Sequence, residues 1–266
     1  MKRLLHTPLA LLVWRIALLY AALMLCRAAF WVYNAALLGP PEWSELGQLV
    51  AGSLKFDTVS VVYADGVFIL QSLLPLHLRE QRWYRGMLFW YYVIVNAVLI
   101  AAASLADTVY FRYTQKRFTA DEIFFADNDN SLQLAGKFMA ENWYLVLLWA
   151  GLVALLAWGY RRRVREESLL RRGWAYYAGG TVVFALAAGL SVAGMRGGMT
   201  RMTRPITLSN AMLYTADSGK ANLILSNPFC ILRTIGNAGS VKYRKYFTPE
   251  ELPQRFTPVH QPADSA

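Results

Sequence analysis

Five apolar stretches, each long enough to cross a lipid bilayer, constrain this chain more than any other feature of its sequence. A spanning helix needs about 20 predominantly apolar residues. The five stretches cover approximately residues 9–33, 56–76, 87–110, 143–160 and 174–195. Only 17 % of the 266 residues are charged, whereas a soluble domain carries about 25 %. We therefore predict an all-α membrane protein with five transmembrane helices.

The second stretch is the least apolar of the five, because it contains Asp57, Asp65 and Gln71. A re-entrant or interfacial segment is the alternative to a spanning helix at this position. Aromatic residues such as Trp31 and Trp143 lie at the ends of several stretches. This placement is typical of helices that meet the lipid headgroups at their ends.

Arginine residues are concentrated in two of the connections between the stretches. They stand at positions 79, 82 and 85 after the second stretch and at positions 161, 162, 163, 165, 171 and 172 after the fourth. Because arginine-rich connections remain in the cytoplasm, we predict a cytoplasmic N-terminus and an extracytoplasmic C-terminus. The net charge of +10 is then chiefly a topology signal. No nucleic-acid partner is expected, since no nucleic-acid-binding module accompanies the basic patches.

The connection between the third and fourth stretches is long enough to hold short helices of its own. Thr119 and Glu122 have the spacing of a capping box, and Asn130 or Ser131 can cap a second helix. We predict that these helices lie in the outer membrane interface. An ordinary exposed loop is the alternative.

Beyond the five stretches the composition changes. Residues 1–195 are predicted to form the transmembrane domain, and residues 196–266, rich in glycine, proline and asparagine, an extracytoplasmic linker of helical or irregular structure. Arg196, Arg201 and Arg204 follow the fifth stretch and are expected to contact anionic phospholipid headgroups. Alternatively, they cap the end of the fifth helix and hold the linker in place.

Several charged residues fall inside the predicted helices, where an ionisable group is expensive unless it is paired. Counting about 1.5 Å of rise per residue places Arg27, Asp57 and Asp107 at similar depth near the outer face. We predict a polar cluster of these three residues with Asn96 nearby. The cluster either staples helices together or has a role with a substrate. Whether the deeper residues Asp65 and Arg15 pair is left open by the sequence.

Motifs of catalysis and metal binding are absent from the sequence. It contains no glycine-rich phosphate loop, no HExxH and no CxxC, and its three histidines are scattered. Cys26 and Cys230 are expected to be unpaired, small apolar residues. The residues themselves therefore predict no catalytic residue, no metal ligand and no cofactor in this chain.

The segment that follows the fifth stretch carries a recognisable pattern, RGGMTRMTRPITLSNAMLYTADSGKANLILSNPFCILRTIG. It resembles the region after the membrane domain in lipoteichoic acid (LTA) synthase-like proteins of the sulfatase/alkaline phosphatase superfamily. The matching positions include Arg204, Pro205, Asn210, Asn227, Pro228, Phe229 and Arg233. Upstream, Gly52, Phe56, Asp57, Pro75 and Asp107 are similar to the pattern of the family's membrane domain.

The resemblance implies an envelope protein of the bacterial cytoplasmic (inner) membrane. In that family the tail leads to an extracytoplasmic α/β catalytic domain, a transferase or hydrolase. This domain uses a threonine nucleophile and a divalent metal, often manganese, to transfer phosphoglycerol. We expect the present chain to be truncated before that domain and to be inactive alone. Its implied partners are the bilayer, anionic headgroups and the catalytic domain. The alternative is a non-enzymatic scaffold or a transporter-like module that uses the intramembrane charges.

Overall fold

A computed structural model describes residues 8–124, 131–161, 173–200 and 202–236, together with positions 247, 251 and 255. These residues form helices and no strand. Five helical segments are long and apolar enough to cross a membrane. The prediction of an all-α membrane protein with five spanning helices is confirmed.

The helices are α1 (Pro8–Tyr33), α2 (Ala35–Leu38), α3 (Trp43–Leu73), α4 (Arg82–Val95), α5 (Ala103–Thr114), α6 (Ala120–Phe124), α7 (Ser131–Glu141), α8 (Trp143–Tyr160), α9 (Trp174–Arg196), α10 (Ser218–Ile224) and α11 (Asn227–Thr234). A π-helical segment, Asn96–Ala102, joins α4 and α5 into one spanning unit, Arg82–Thr114. Short 3-10 helices cover His77–Glu80 and Leu208–Leu213. The other spanning segments are α1, α3, α8 and α9.

Helix α3 starts well before the predicted beginning of the second stretch at residue 56. Its 31 residues extend for about 46 Å, more than the hydrocarbon thickness of about 30 Å. It is continuous, so the re-entrant alternative does not describe it. It ends at Leu73, two residues before Pro75, because the residue that precedes a proline disfavours helical backbone.

Hydrogen bonds between helices fix their directions. Trp14 donates to the Gly159 carbonyl over 3.2 Å, and Tyr33 donates to Asn142 over 3.0 Å. The start of α1 therefore lies beside the end of α8, and the two helices are antiparallel. Equivalent pairs make α3 antiparallel to α4 (Tyr84 with Gln71, Tyr91 with Ala64) and α1 parallel to the α4–α5 unit (Arg15 with Tyr92, Asn34 with Thr108).

Helix α9 runs antiparallel to α3, since Gly180 approaches Pro75 and Gly194 approaches Val62. The five spanning segments consequently alternate in direction. At one end of the bundle, which we call the tail end, lie residues 34–42, 115–124, 131–142, 197–200 and 202–236. At the other end, which we call the arginine-rich end, lie residues 74–81, Arg161 and Gly173.

The core between the spanning segments is aromatic towards the arginine-rich end. The ring centroids of Phe68 and Tyr92 lie 5.2 Å apart, and so do those of Tyr92 and Tyr160. Arg15 belongs to this layer, with its guanidinium 3.7 Å from the centroid of the Tyr160 ring. A cation over an aromatic face accounts for an arginine at this depth.

The connection between α5 and α8 contains two short helices, α6 and α7, as predicted. The predicted capping box is wrong, however. The Thr119 hydroxyl is buried and has no hydrogen-bond partner among the described residues, and Glu122 is paired with Lys116 at 3.0 Å. The Ala120 N–H donates instead to the hydroxyl of Thr234 over 2.9 Å. A residue distant in sequence therefore caps α6.

Candidate functional site: the docked tail

Two buried arginine–aspartate pairs lie near the tail end of the bundle. Arg27 of α1 donates to both carboxylate oxygens of Asp57 of α3, over 2.9 and 2.7 Å. Arg117, in the turn after α5, lies 3.0 Å from a carboxylate oxygen of Asp107. Both aspartates are 0 % exposed. Buried charges of this kind require a partner close by, and each carboxylate has a guanidinium.

The predicted cluster is thus divided in the structure. Arg27 and Asp57 come together, whereas Asp107 binds Arg117 and also accepts from the Phe118 N–H over 2.6 Å. Asn96 bonds to Asp65, which is a separate contact. Depth arithmetic does not give the rotation of a residue about its helix axis. It also overlooks Arg117, which returns towards α5 through the left-handed turn at Gln115.

The same two arginines hold the tail. The Arg27 Nε donates to the Leu223 carbonyl over 2.7 Å, and an Nη of Arg117 donates to the Leu225 carbonyl over 2.8 Å. These carbonyls lie at the C-terminal end of α10, where helix carbonyls lack intrahelical donors and carry partial negative charge. We call Arg27, Asp57, Arg117 and Asp107 the arginine clamp. Each guanidinium binds a carboxylate on the bundle and a carbonyl on the tail.

Further polar contacts surround the clamp. The hydroxyls of Ser60 and Ser226 lie 2.8 Å apart, and the Asn227 amide donates to the Phe118 carbonyl over 2.9 Å. Lys220 pairs with Glu45 at 2.6 Å. The tail from α10 to α11 is therefore bonded to α3 and to the turn after α5.

Apolar packing covers the same interface. Phe229 is buried with its ring centroid 4.8 Å from that of Phe56, in an edge-to-face arrangement. Buried residues of α3 and of the tail form one cluster, comprising Leu49, Phe56, Val59, Ile206, Ala211, Ala221, Ile224, Leu225, Phe229 and Cys230. Aromatic contacts of this geometry stabilise beyond their buried area. The tail is part of the folded core at this end of the bundle.

The residues that carry the family resemblance take distinct places in this tail. Asn227, Pro228 and Phe229 begin α11 and are buried. Asn210 forms a capping box with Thr207 at the start of the 3-10 helix. Arg204 and Pro205 are exposed, and Arg233 is half-buried.

The three arginines expected at headgroups have different surroundings. Arg196 donates to the Thr203 carbonyl over 2.9 Å, which holds the turn that follows Gly197. Gly197 has a φ of 74°. Helices often end with a residue in this left-handed conformation, which glycine adopts at low cost. Arg204 is exposed, and Arg201 lies outside the described residues. The contacts of Arg196 match the alternative in which it fixes the tail.

Cys230 offers a reporter of this interface. It is 0 % exposed, and burial raises the pKa of its thiol to about 11, against about 8.5 for a free cysteine. In a Cys26→Ala background we expect almost no alkylation at pH 7.5 and complete alkylation in SDS. The raised pKa stabilises docking below pH ~8.5, and this contribution is lost as the pH rises towards 11. As the pH rises, the rate of Cys230 alkylation should therefore increase more steeply than the thiolate fraction alone predicts. Native labelling as fast as in SDS would contradict the buried position.

In the described part of the chain, no three histidine, cysteine, aspartate or glutamate side chains are placed to hold a metal ion. Sequence reasoning missed the carbonyls of Leu223 and Leu225, the Ser60–Ser226 bond and the role of Arg117. The only sequence signal for that role was the arginine ten positions after Asp107.

Comparison of the chain with family models, curated proteins and solved structures finds no match.

Proposed function

We propose that this chain is a membrane anchor that holds its C-terminal segment rigidly against one end of a five-helix bundle. The arginine clamp carries this proposal. A flexible tether needs no buried ion pairs, yet here two of them bind consecutive parts of the tail, at Leu223 and Leu225. Such a device sets the height and orientation of a protein segment beside the bilayer, which raises its effective concentration at lipid headgroups.

The resemblance supports the more specific proposal that the anchor belongs to an LTA synthase-like transferase of the bacterial envelope. Its catalytic domain, with its divalent metal, would be carried beyond the docked tail. Five of the positions that match the family pattern lie in the docking interface, namely Asn227, Pro228, Phe229, Asp57 and Asp107, whereas Arg204 and Pro205 are exposed. A transporter-like role receives less support, because the charges at Arg27, Asp57 and Asp107 are used to hold the tail. An in-frame sulfatase-like domain after codon 266 favours the anchor, and a stop codon without a neighbouring catalytic reading frame favours the scaffold.

The anchor proposal requires the tail end to face outward and the arginine-rich end to face the cytoplasm. Ser209 and Gln81 are exposed at these two ends, and both native cysteines are buried. In intact cells we expect a membrane-impermeant maleimide to label Ser209→Cys. Gln81→Cys should react only after permeabilisation. The reverse pattern would overturn the proposal, and the buried native cysteines provide the unlabelled control.

A further inference from the structure

Three aspartates are fully buried among the spanning segments, and one of them differs from the others. Asp57 and Asp107 each have a guanidinium, whereas Asp65 forms no ion pair with a described residue. Asp65 is 0 % exposed, on the part of α3 nearer the arginine-rich end. An isolated carboxylate in apolar surroundings is so costly that the group becomes neutral instead.

In the described part of the chain, the side chain bonded to Asp65 is that of Asn96, whose Nδ2 donates to Asp65 Oδ1 over 2.9 Å. The same Nδ2 donates its other proton to the Tyr92 carbonyl over 2.8 Å. Both amide protons are therefore used, which fixes the orientation of the amide. Two buried atoms of the pair, Asp65 Oδ2 and Asn96 Oδ1, have no hydrogen-bond partner within the part of the chain that the structure describes. Both are acceptors as long as Asp65 is ionised.

A single proton on Asp65 Oδ2 supplies the donor that the pair lacks. The carboxyl group then still accepts from the amide through Oδ1, and its Oδ2 becomes a donor instead of a second unpartnered acceptor. Among the described residues, no other side chain is bonded to Asp65. The hydroxyls of Tyr91 and Tyr92 donate to the carbonyls of Ala64 and Arg15, over 2.7 and 2.9 Å.

The charged and titratable groups around Asp65 are few. Tyr91 and Tyr92 face Asp65 from α4, and the hydroxyl of each donates a hydrogen bond to a backbone carbonyl. Arg15 of α1 lies beyond Tyr92, with its guanidinium on the Tyr160 ring of α8. From α9, Met195 lies against Gly66, the residue that follows Asp65. Its methyl group would be 3.4 Å from a Cβ added at Gly66. None of these groups compensates a negative charge on Asp65 directly.

The backbone at Asn96 is unusual as well. Asn96 is the first residue of the π-helical segment Asn96–Ala102, and such segments are frequent at functional sites. The geometry points to a proton-binding site in the bundle interior, formed by Asp65 and Asn96, in which Asp65 carries a proton at neutral pH. The anchor role does not use this site.

Infrared spectroscopy of the full chain in lipid vesicles tests this assignment. At pH 7 we expect a carbonyl band of a protonated carboxyl group that disappears in Asp65→Asn. In Asn96→Leu the band should remain but move to higher frequency, because its carbonyl loses the amide donor. The Asn96→Leu readout keeps the assignment falsifiable if Asp65→Asn fails to fold.

Absence of an Asp65-dependent band at pH 7 would overturn the assignment. Buffers with sodium and with potassium as the sole cation distinguish a proton from a metal cation. We expect the same band amplitude in both. Loss of the band in sodium alone would show that Asp65 binds sodium as a carboxylate, which would also overturn it. The same isosteric change at Asp57, Asp57→Asn, should leave this band in place, because the Asp57 carboxyl group is bound by the Arg27 guanidinium.

Discussion

The substitution Asp57→Asn is expected to release the tail from the bundle. It removes the negative partner of Arg27, whose guanidinium donates to both Asp57 oxygens, and leaves a buried charge uncompensated. Losing one partner of a buried pair costs about 3–5 kcal/mol. Since each 1.4 kcal/mol is about tenfold, alkylation of Cys230 in the Cys26→Ala background should accelerate by about 100-fold or more.

Two further variants separate this effect from a general disturbance of the bundle. Asp65→Asn is an equally isosteric change in the same helix, and we expect it to leave Cys230 protected. The double variant Arg27→Met/Asp57→Leu removes both charges and should recover part of the protection. Recovery stays partial because the Leu223 carbonyl then lacks its donor. Protection of Cys230 in Asp57→Asn equal to that of the parent would refute the clamp.

The run of apolar residues was sufficient to predict the spanning segments. Helices α1 and α8 match the predicted stretches closely, because a segment in hydrocarbon must satisfy its backbone within itself. Residues 43–55 were not predicted as helix, since they contain polar residues such as Glu45 and Lys55 and have no spanning signal. These residues belong to the first part of α3, which contacts the tail on one side through the buried Leu49 and through the pairing of Lys220 with Glu45 at 2.6 Å.

The candidate site was predictable only in part, for a geometrical reason. Depth along a helix follows from residue number, and it brought Arg27 and Asp57 to the same level. The partner of Asp107 was not predictable in this way. Arg117 reaches Asp107 because the chain reverses at Gln115. Gln115 is a non-glycine residue in the left-handed region, with a φ of 54°. The cap of α6 by Thr234 depends likewise on the docked position of the tail.

The clamp supplies charge, but the tail also needs space against α3. Gly52 provides it, because a Cβ at this position would lie 2.8 Å from Cγ of the Tyr214 ring and 3.0 Å from a methyl group of Ile224. The ring carbon next to Cβ moves little without the backbone, so the neighbour yields poorly. A larger residue at position 52 therefore forces the tail outward.

Gly52→Leu is expected to weaken docking by about 1–3 kcal/mol, the usual cost of overpacking a tight interface. Alkylation of Cys230 should accelerate by roughly 5- to 100-fold. Gly47→Leu is the matched control in the same helix, because nothing lies within 4 Å of a Cβ there. Leucine at position 47 should strengthen α3 slightly through its better helix propensity and leave Cys230 protected. Equal labelling rates in the two variants would mean that the close approach of Tyr214 to Gly52 does not hold the tail. A difference confined to position 52 separates steric exclusion of the tail from any general effect of leucine on α3.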